Sequence, residues 1–128
     1  MVLDTVVLID LERELRLEGA GAASAALEQH ANDPLFLTPT VAGELAAGKS
    51  MRQRDVWRRF IEPFTLLAID EQVCWQYGEL YKILQSKGKM IGANDLWIAA
   101  AALAYGEPLL SRNKGDFHKV PGLNLVTY

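Results

Sequence analysis

Residues 92–111 read GANDLWIAAAALAYGEPLLS, and the fold turns on how they are read. From Leu96 to Tyr105 nothing is charged, and each residue there suits a core. Gly106 supplies a helix stop, and PLLS behind it reads as a short buried strand. An uncharged helix running straight into an apolar strand is one unit of a helix–strand alternation. The run nevertheless opens on a carboxylate, Asp95, directly behind Asn94.

Working outward, the alternation continues in both directions. Toward the N-terminus, SKGKMIG (86–92) is a loop, preceded by a helix of about 71–87 that Asp70 caps. Its apolar positions Val73, Tyr77, Leu80 and Leu84 recur at helical spacing. FTLLAI (64–69) is predicted as a strand, set off by Pro63 from a long helix over roughly 41–60 capped by Thr40. LFLT (35–38) is a buried strand behind the breaker Asn32-Asp33-Pro34. SAALEQHAND (24–33) is a helix, and VLD (2–4) a first strand. In TVVLIDLERELRLEG (5–19) the acid- and Leu-rich second half suits a helix that Gly19 ends. On the other side, RNKGDFHKVPG (112–122) reads as a functional loop and LNLVTY (123–128) as a final strand. Repeats, low-complexity tracts and linkers are absent, so one domain spanning 1–128 is expected. The fold class is α/β, with a central parallel sheet covered on both faces. Ligands in such folds bind beyond the carboxyl ends of the strands.

Composition narrows the chemistry. Half the residues are apolar and 23% are charged, as in a soluble globular chain. No apolar stretch reaches the ~18 residues of a membrane span, and the first residues lack the pattern of a signal peptide. The single cysteine, Cys74, excludes an internal disulfide and fits a reducing cytoplasm. With only two histidines, zinc-type spacing is absent as well, so any metal would be held by carboxylates. The net charge of −3 is unevenly spread: residues 1–48 carry eight acids and two basic residues, residues 49–128 eight acids and eleven. Lys49, Arg52, Arg54, Arg58 and Arg59 form the sharpest basic cluster, which on charge alone is a solvated helix face or a local basic stripe beside an acidic pocket.

Four acids are expected at or just beyond the carboxyl edge of the sheet: Asp4, Glu44, Asp95 and Asp116. Clustered carboxylates repel one another unless protonated, paired or neutralised by cations. Oxygen-only ligands favour hard cations such as magnesium or manganese. Each acid also has a plainer explanation. Asp4 can form a turn with Thr5, Glu44 can be a solvated helix residue, Asp95 can share a cap with Asn94, and Asp116 can sit in an Asx-turn.

Four blocks carry a resemblance: LDTVVLIDL (3–11), TVAGEL (40–45), IGANDLWIAAAAL (91–103) and SRNKGDFHKVPGL (111–123). Together, in order and over essentially the whole chain, they resemble PIN-domain proteins, most of all the VapC-type toxins of prokaryotic toxin–antitoxin pairs. The resemblance implies a three-layer α/β/α fold and a metal-dependent endoribonuclease that leaves a 5′-phosphate and a 3′-hydroxyl. It makes Asp4, Glu44 and Asp95 the central acids for Mg2+ or Mn2+, and Asp116 the fourth. Ser111 and Asn113 would stand close behind, and Thr5 would orient a carboxylate or a water. It further implies an RNA substrate, a VapB-like antitoxin and a homodimer. Arg112 and Lys114, flanking the loop, would touch RNA phosphates or an antitoxin's acidic tail, or merely solubilise it. One departure is Val6, where many relatives place Asn or Ser.

Other classes are weaker. A receiver domain wants paired acids after its first strand and a Lys near its last. A haloacid-dehalogenase-type phosphatase wants a second Asp two residues after its nucleophile, where this chain has Val6. A non-catalytic module of the same fold, binding nucleic acid or protein, remains the serious alternative.

Overall fold

A computed structural model describes residues 1–128. Five short parallel strands form one sheet: β1 (Val2–Leu3), β2 (Phe36–Leu37), β3 (Thr65–Leu66), β4 (Leu109–Leu110) and β5 (Leu125–Val126). Their order is β3-β2-β1-β4-β5. Val2 is in register with Phe36 on one side and Leu109 on the other. The chain winds outward from β1 to β3, returns past β1 to β4, and ends at β5. Right-handed crossovers running in opposite directions put the connecting helices on opposite faces. The result is the expected three-layer α/β/α arrangement.

The helices are α1 (Thr5–Arg16), α2 (Ala22–Gln29), α3 (Pro39–Ala46), α4 (Arg54–Ile61), α5 (Glu71–Ser86), α6 (Ala93–Ala104) and α7 (Lys114–Phe117), with a 3-10 turn at Lys49–Met51. α1 packs on α2 and α3, α5 runs along α6, and both α3 and α7 touch α6. In α6, Leu96, Ile98 and Ala99 through Ala102 are all buried, because alanines let a helix approach its neighbours from every side. These residues join one continuous hydrophobic core with β1, β4 and the inner faces of α1 and α5.

Several boundaries differ from the sequence reading. The expected helix 41–60 is two helices. Thr38, not Thr40, caps the first, its hydroxyl accepting from the Val41 amide at 3.2 Å with Pro39 following. The chain breaks at Gly48 and Gln53, and Trp57 then ties α4 back to α3 by donating to the Ala42 carbonyl at 3.0 Å. α1 starts at Thr5, so all of TVVLIDLERELR is helical, and it ends before Gly19, with Glu18 in the left-handed region at φ 52°. FTLLAI contributes only Thr65–Leu66 to the sheet, as an exposed edge strand. Within the loop expected at 112–122 lies the single turn α7.

Candidate active site

The strand order reverses between β1 and β4, and open α/β sheets place their binding crevice at such a point. Asp4 follows β1 and Ser111 follows β4. The Ser111 hydroxyl donates to Asp4 Oδ2 at 2.6 Å, closing the crevice floor across 107 residues of sequence. Asp4 Oδ1 accepts from the Thr5 amide at 2.8 Å, so the same carboxylate caps α1. The Asn113 amide donates to Ser111 Oγ at 2.9 Å. Asp4 is only 4% exposed, and burial raises its pKa. The bonds from Ser111 and Thr5 pull it back, the charge of Glu44 raises it further, and Arg112 lowers it.

Glu44 stands exposed on α3, where the Thr5 hydroxyl donates to its Oε1 at 2.9 Å. Thr5 therefore orients a carboxylate. Asp95 lies half-buried in the first turn of α6. It does not share a cap with Asn94: the N-cap is Gly92, and no side chain bonds the helix end. Burial, followed by the charges of Asp4, Asp116 and Glu44, pushes the Asp95 carboxyl up to about 6. A buried helix thus holds an acid rigidly among other acids. Asp116, on α7, is in reach of Asp95 by charge, but its side chain leans toward Lys119 Nζ at 3.5 Å.

Asp4, Thr5, Val6, Ile9, Glu44 and Asp95 line one cleft together with Arg112, Asn113, Lys114 and Gly115. Asp116 does not line it, and His118 is exposed outside it. Asp4, Glu44 and Asp95 have no Lys or Arg ion-pair partner, although burial and the neighbouring acids work against the charge of Asp4 and Asp95. Oxygen donors of this kind fit a hard divalent cation. As placed, the side chains form an acidic cluster and not a closed set of three metal ligands.

The sequence reading overlooked Asp10. This α1 carboxylate is buried and accepts four hydrogen bonds: from Arg112 Nε at 2.7 Å and Nη2 at 3.3 Å, from Arg13 Nη2 at 2.8 Å and from the Tyr128 hydroxyl at 2.9 Å. The bond from Arg112 is the main reason its pKa is lowered. Burial, then Asp10, raises that of Tyr128. Arg112, read as a free cation of the loop, is thus committed to an internal pair. The available signal was an acid between Ile9 and Leu11, in the apolar half of α1, where burial demands a partner.

A parallel sheet with paired Asp4 and Ser111 at its switch point, and further acids brought in by α3, α6 and α7, is the arrangement of a PIN domain. The PIN domain family model matches residues 1–123. "Ribonuclease VapC" of Rickettsia bellii is 31% identical over 135 residues, covering 99% of this chain and 95% of that one. "Ribonuclease VapC1" of Methanocaldococcus jannaschii is 30% identical over 129 residues, covering 100% and 86%. Among solved structures, VapBC2 from Rickettsia felis, bound to a DNA fragment from its promoter, superposes with a TM-score of 0.83 at 25% identity, covering 99% and 97%. The chain belongs to the PIN-domain family and, within it, stands among the VapC ribonucleases.

Proposed function

We propose that the protein is a metal-dependent endoribonuclease, the toxin of a toxin–antitoxin pair, with Asp4, Glu44, Asp95 and Asp116 as the acids of its site. The observation that carries this reading is the convergence at the switch point. Partial burial, then the charges of Asp4, Asp116 and Glu44, push the half-buried Asp95 carboxyl up to about 6, and no basic side chain is paired with Asp4, Glu44 or Asp95. Family membership and the names of the curated relatives agree with it.

Asp4, Glu44 and Asp95 would hold Mg2+ or Mn2+, with Asp116 joining from α7. When bound, such an ion activates water for attack on a phosphodiester and offsets charge on the phosphate oxygens. The chain's own residues set the geometry. Ser111 and the Thr5 amide fix both oxygens of Asp4, and Thr5 Oγ1 steers Glu44. Packing of α6 fixes the position of Asp95, and Asn113 is held beside Asp4 through Ser111. Lys114, exposed at the cleft, and Arg112 would meet RNA phosphates by charge. The basic residues Arg52, Arg54, Arg58 and Arg59 are exposed and would extend that contact.

A VapB-like antitoxin is the proposed partner, since the solved relatives include toxin–antitoxin complexes. We place the protein in the cytoplasm as a homodimer; no helix is long and apolar enough to cross a membrane.

The test is cleavage of a total-RNA pool by metal-stripped protein in EDTA, magnesium or manganese, alongside Asp95→Asn. Discrete fragments that need both the metal and Asp95 are expected, with the variant's circular dichroism unchanged. Cleavage that persists in EDTA, or in folded Asp95→Asn, rules the mechanism out.

A further inference from the structure

Three consecutive residues after β4 are tethered. Ser111 is bonded to Asp4, Arg112 to Asp10, and the Asn113 amide to Ser111. The middle tether poses a question of charge. Arg112 lines the same cleft as Asp4, Glu44 and Asp95, and its side chain is half exposed and long enough to move. A mobile guanidinium beside three carboxylates would be drawn onto them, since the attraction is large in a partly dehydrated site. It is instead held by Nε and Nη2 on a carboxylate that is only 6% exposed. Nη1 makes no hydrogen bond within the protein. Asp10 is fixed in turn by Arg13 and the Tyr128 hydroxyl, so its orientation does not depend on Arg112 alone.

We propose that Asp10 is a positioning residue that parks the Arg112 guanidinium at the mouth of the cleft, keeping it off the metal-binding acids while leaving one edge free for a phosphate. The proposal rests on reading those acids as cation ligands. Two-handed capture is the point of the geometry: an arginine matches a carboxylate with a rigid fork, which a lysine cannot do. Without Asp10, Arg112 becomes an internal competitor of the cation.

Isothermal titration of Mn2+ into the metal-stripped protein tests this without any need for turnover. Asp10→Asn is expected to weaken Mn2+ binding by at least about five-fold, because the released arginine competes for the carboxylates. Removing the arginine as well, in Asp10→Asn with Arg112→Ala, is expected to restore wild-type affinity or better. A purely structural loss at Asp10 would not be rescued in this way. Tyr128→Phe, which leaves the Asp10–Arg112 pair intact, should bind Mn2+ like the wild type. If Asp10→Asn does not fold, Arg112→Lys takes its place: the loosely held ammonium should weaken Mn2+ binding while Arg112→Ala does not. Wild-type affinity in folded Asp10→Asn, or equal weakening in the single and double variants, overturns the proposal alone. A wild type that binds no Mn2+ removes the nuclease reading along with it.

Discussion

At the scale of single residues, Asp95, as a proposed cation ligand, would set stability against function. Its carboxyl is raised from the ordinary value of 3.8 to about 6 in the folded protein. The folded state therefore holds that proton more tightly than the unfolded chain does. The associated stability is complete below the unfolded value of 3.8 and is lost as the pH climbs through about 6. Metal-free protein at neutral pH accordingly carries a destabilising charge at the start of α6. Asp95→Asn removes it, so in EDTA the variant should melt above the wild type at about pH 8, and the gap should close toward about pH 4. Thermal melts in EDTA across that range check this; a variant that melts lower at every pH contradicts the electrostatic account. The four acids were visible as candidates in the sequence because their types and intervals are distinctive. What was hidden was how they are held, since Ser111 and Asp4 meet only when β1 and β4 pair. The partners of Asp10 were hidden for the same reason, Arg112 and Tyr128 lying more than a hundred positions away.

At the scale of elements, α2 shows how a helix start can be supplied from elsewhere. Its own N-cap, Gly21, has no side chain to offer. Glu14 reaches across from α1, and its carboxylate accepts from the Ala23 and Ser24 amides at 3.0 and 2.9 Å as well as from the Ser24 hydroxyl. The Ser24 hydroxyl is the main reason its pKa is lowered. A Cβ at Gly21 would collide with the Glu14 carboxylate, so a side chain there would displace the borrowed cap. Glu14→Ala should cost roughly 1 kcal/mol, within the range for lost helix caps. Gly21→Ala should cost a similar amount by expelling the same carboxylate, and the double variant should cost less than the two together. Urea unfolding of the three variants measures this, and strict additivity would refute the shared cap. None of it was legible in the sequence, where the capping residue and the capped helix belong to different elements. Local signals succeeded where cap and helix are adjacent, as with Asp70 ahead of α5, whose carboxylate accepts from Val73 at 3.0 Å. They failed at residues 41–60, where helical composition runs on through Gly48 while the turn after it buries Met51 and folds α4 back onto α3.

At the scale of the whole molecule, the alternation of helices and strands gave the parallel sheet, because an apolar run such as that of α6 has few ways to be buried. Strand lengths were overestimated, since apolar residues beside each ladder pack without pairing: in FTLLAI only Thr65 and Leu66 join the sheet. The placement of the acids has a thermodynamic consequence that no single element has. Asp4, Glu44, Asp95 and Asp116 come from α1's cap, α3, α6 and α7, which span most of the sequence. The unfolded chain scatters them, so a cation held by these acids, as proposed, would bind the folded state and scarcely bind the unfolded one. Linkage then adds about 2.7 kcal/mol of stability at a hundredfold excess of cation over its Kd. For a domain of this size that corresponds to a rise in Tm of roughly 10 °C. Mn2+ or Mg2+ should produce this rise in metal-stripped wild type, and EDTA should reverse it. Asp95→Asn should start from a higher metal-free Tm at about pH 8 and gain much less, because it lacks both the repulsion and the ligand. Calorimetric scans with and without Mn2+ decide the matter. If wild type and variant gain equally, the cation sits somewhere other than the switch point between β1 and β4.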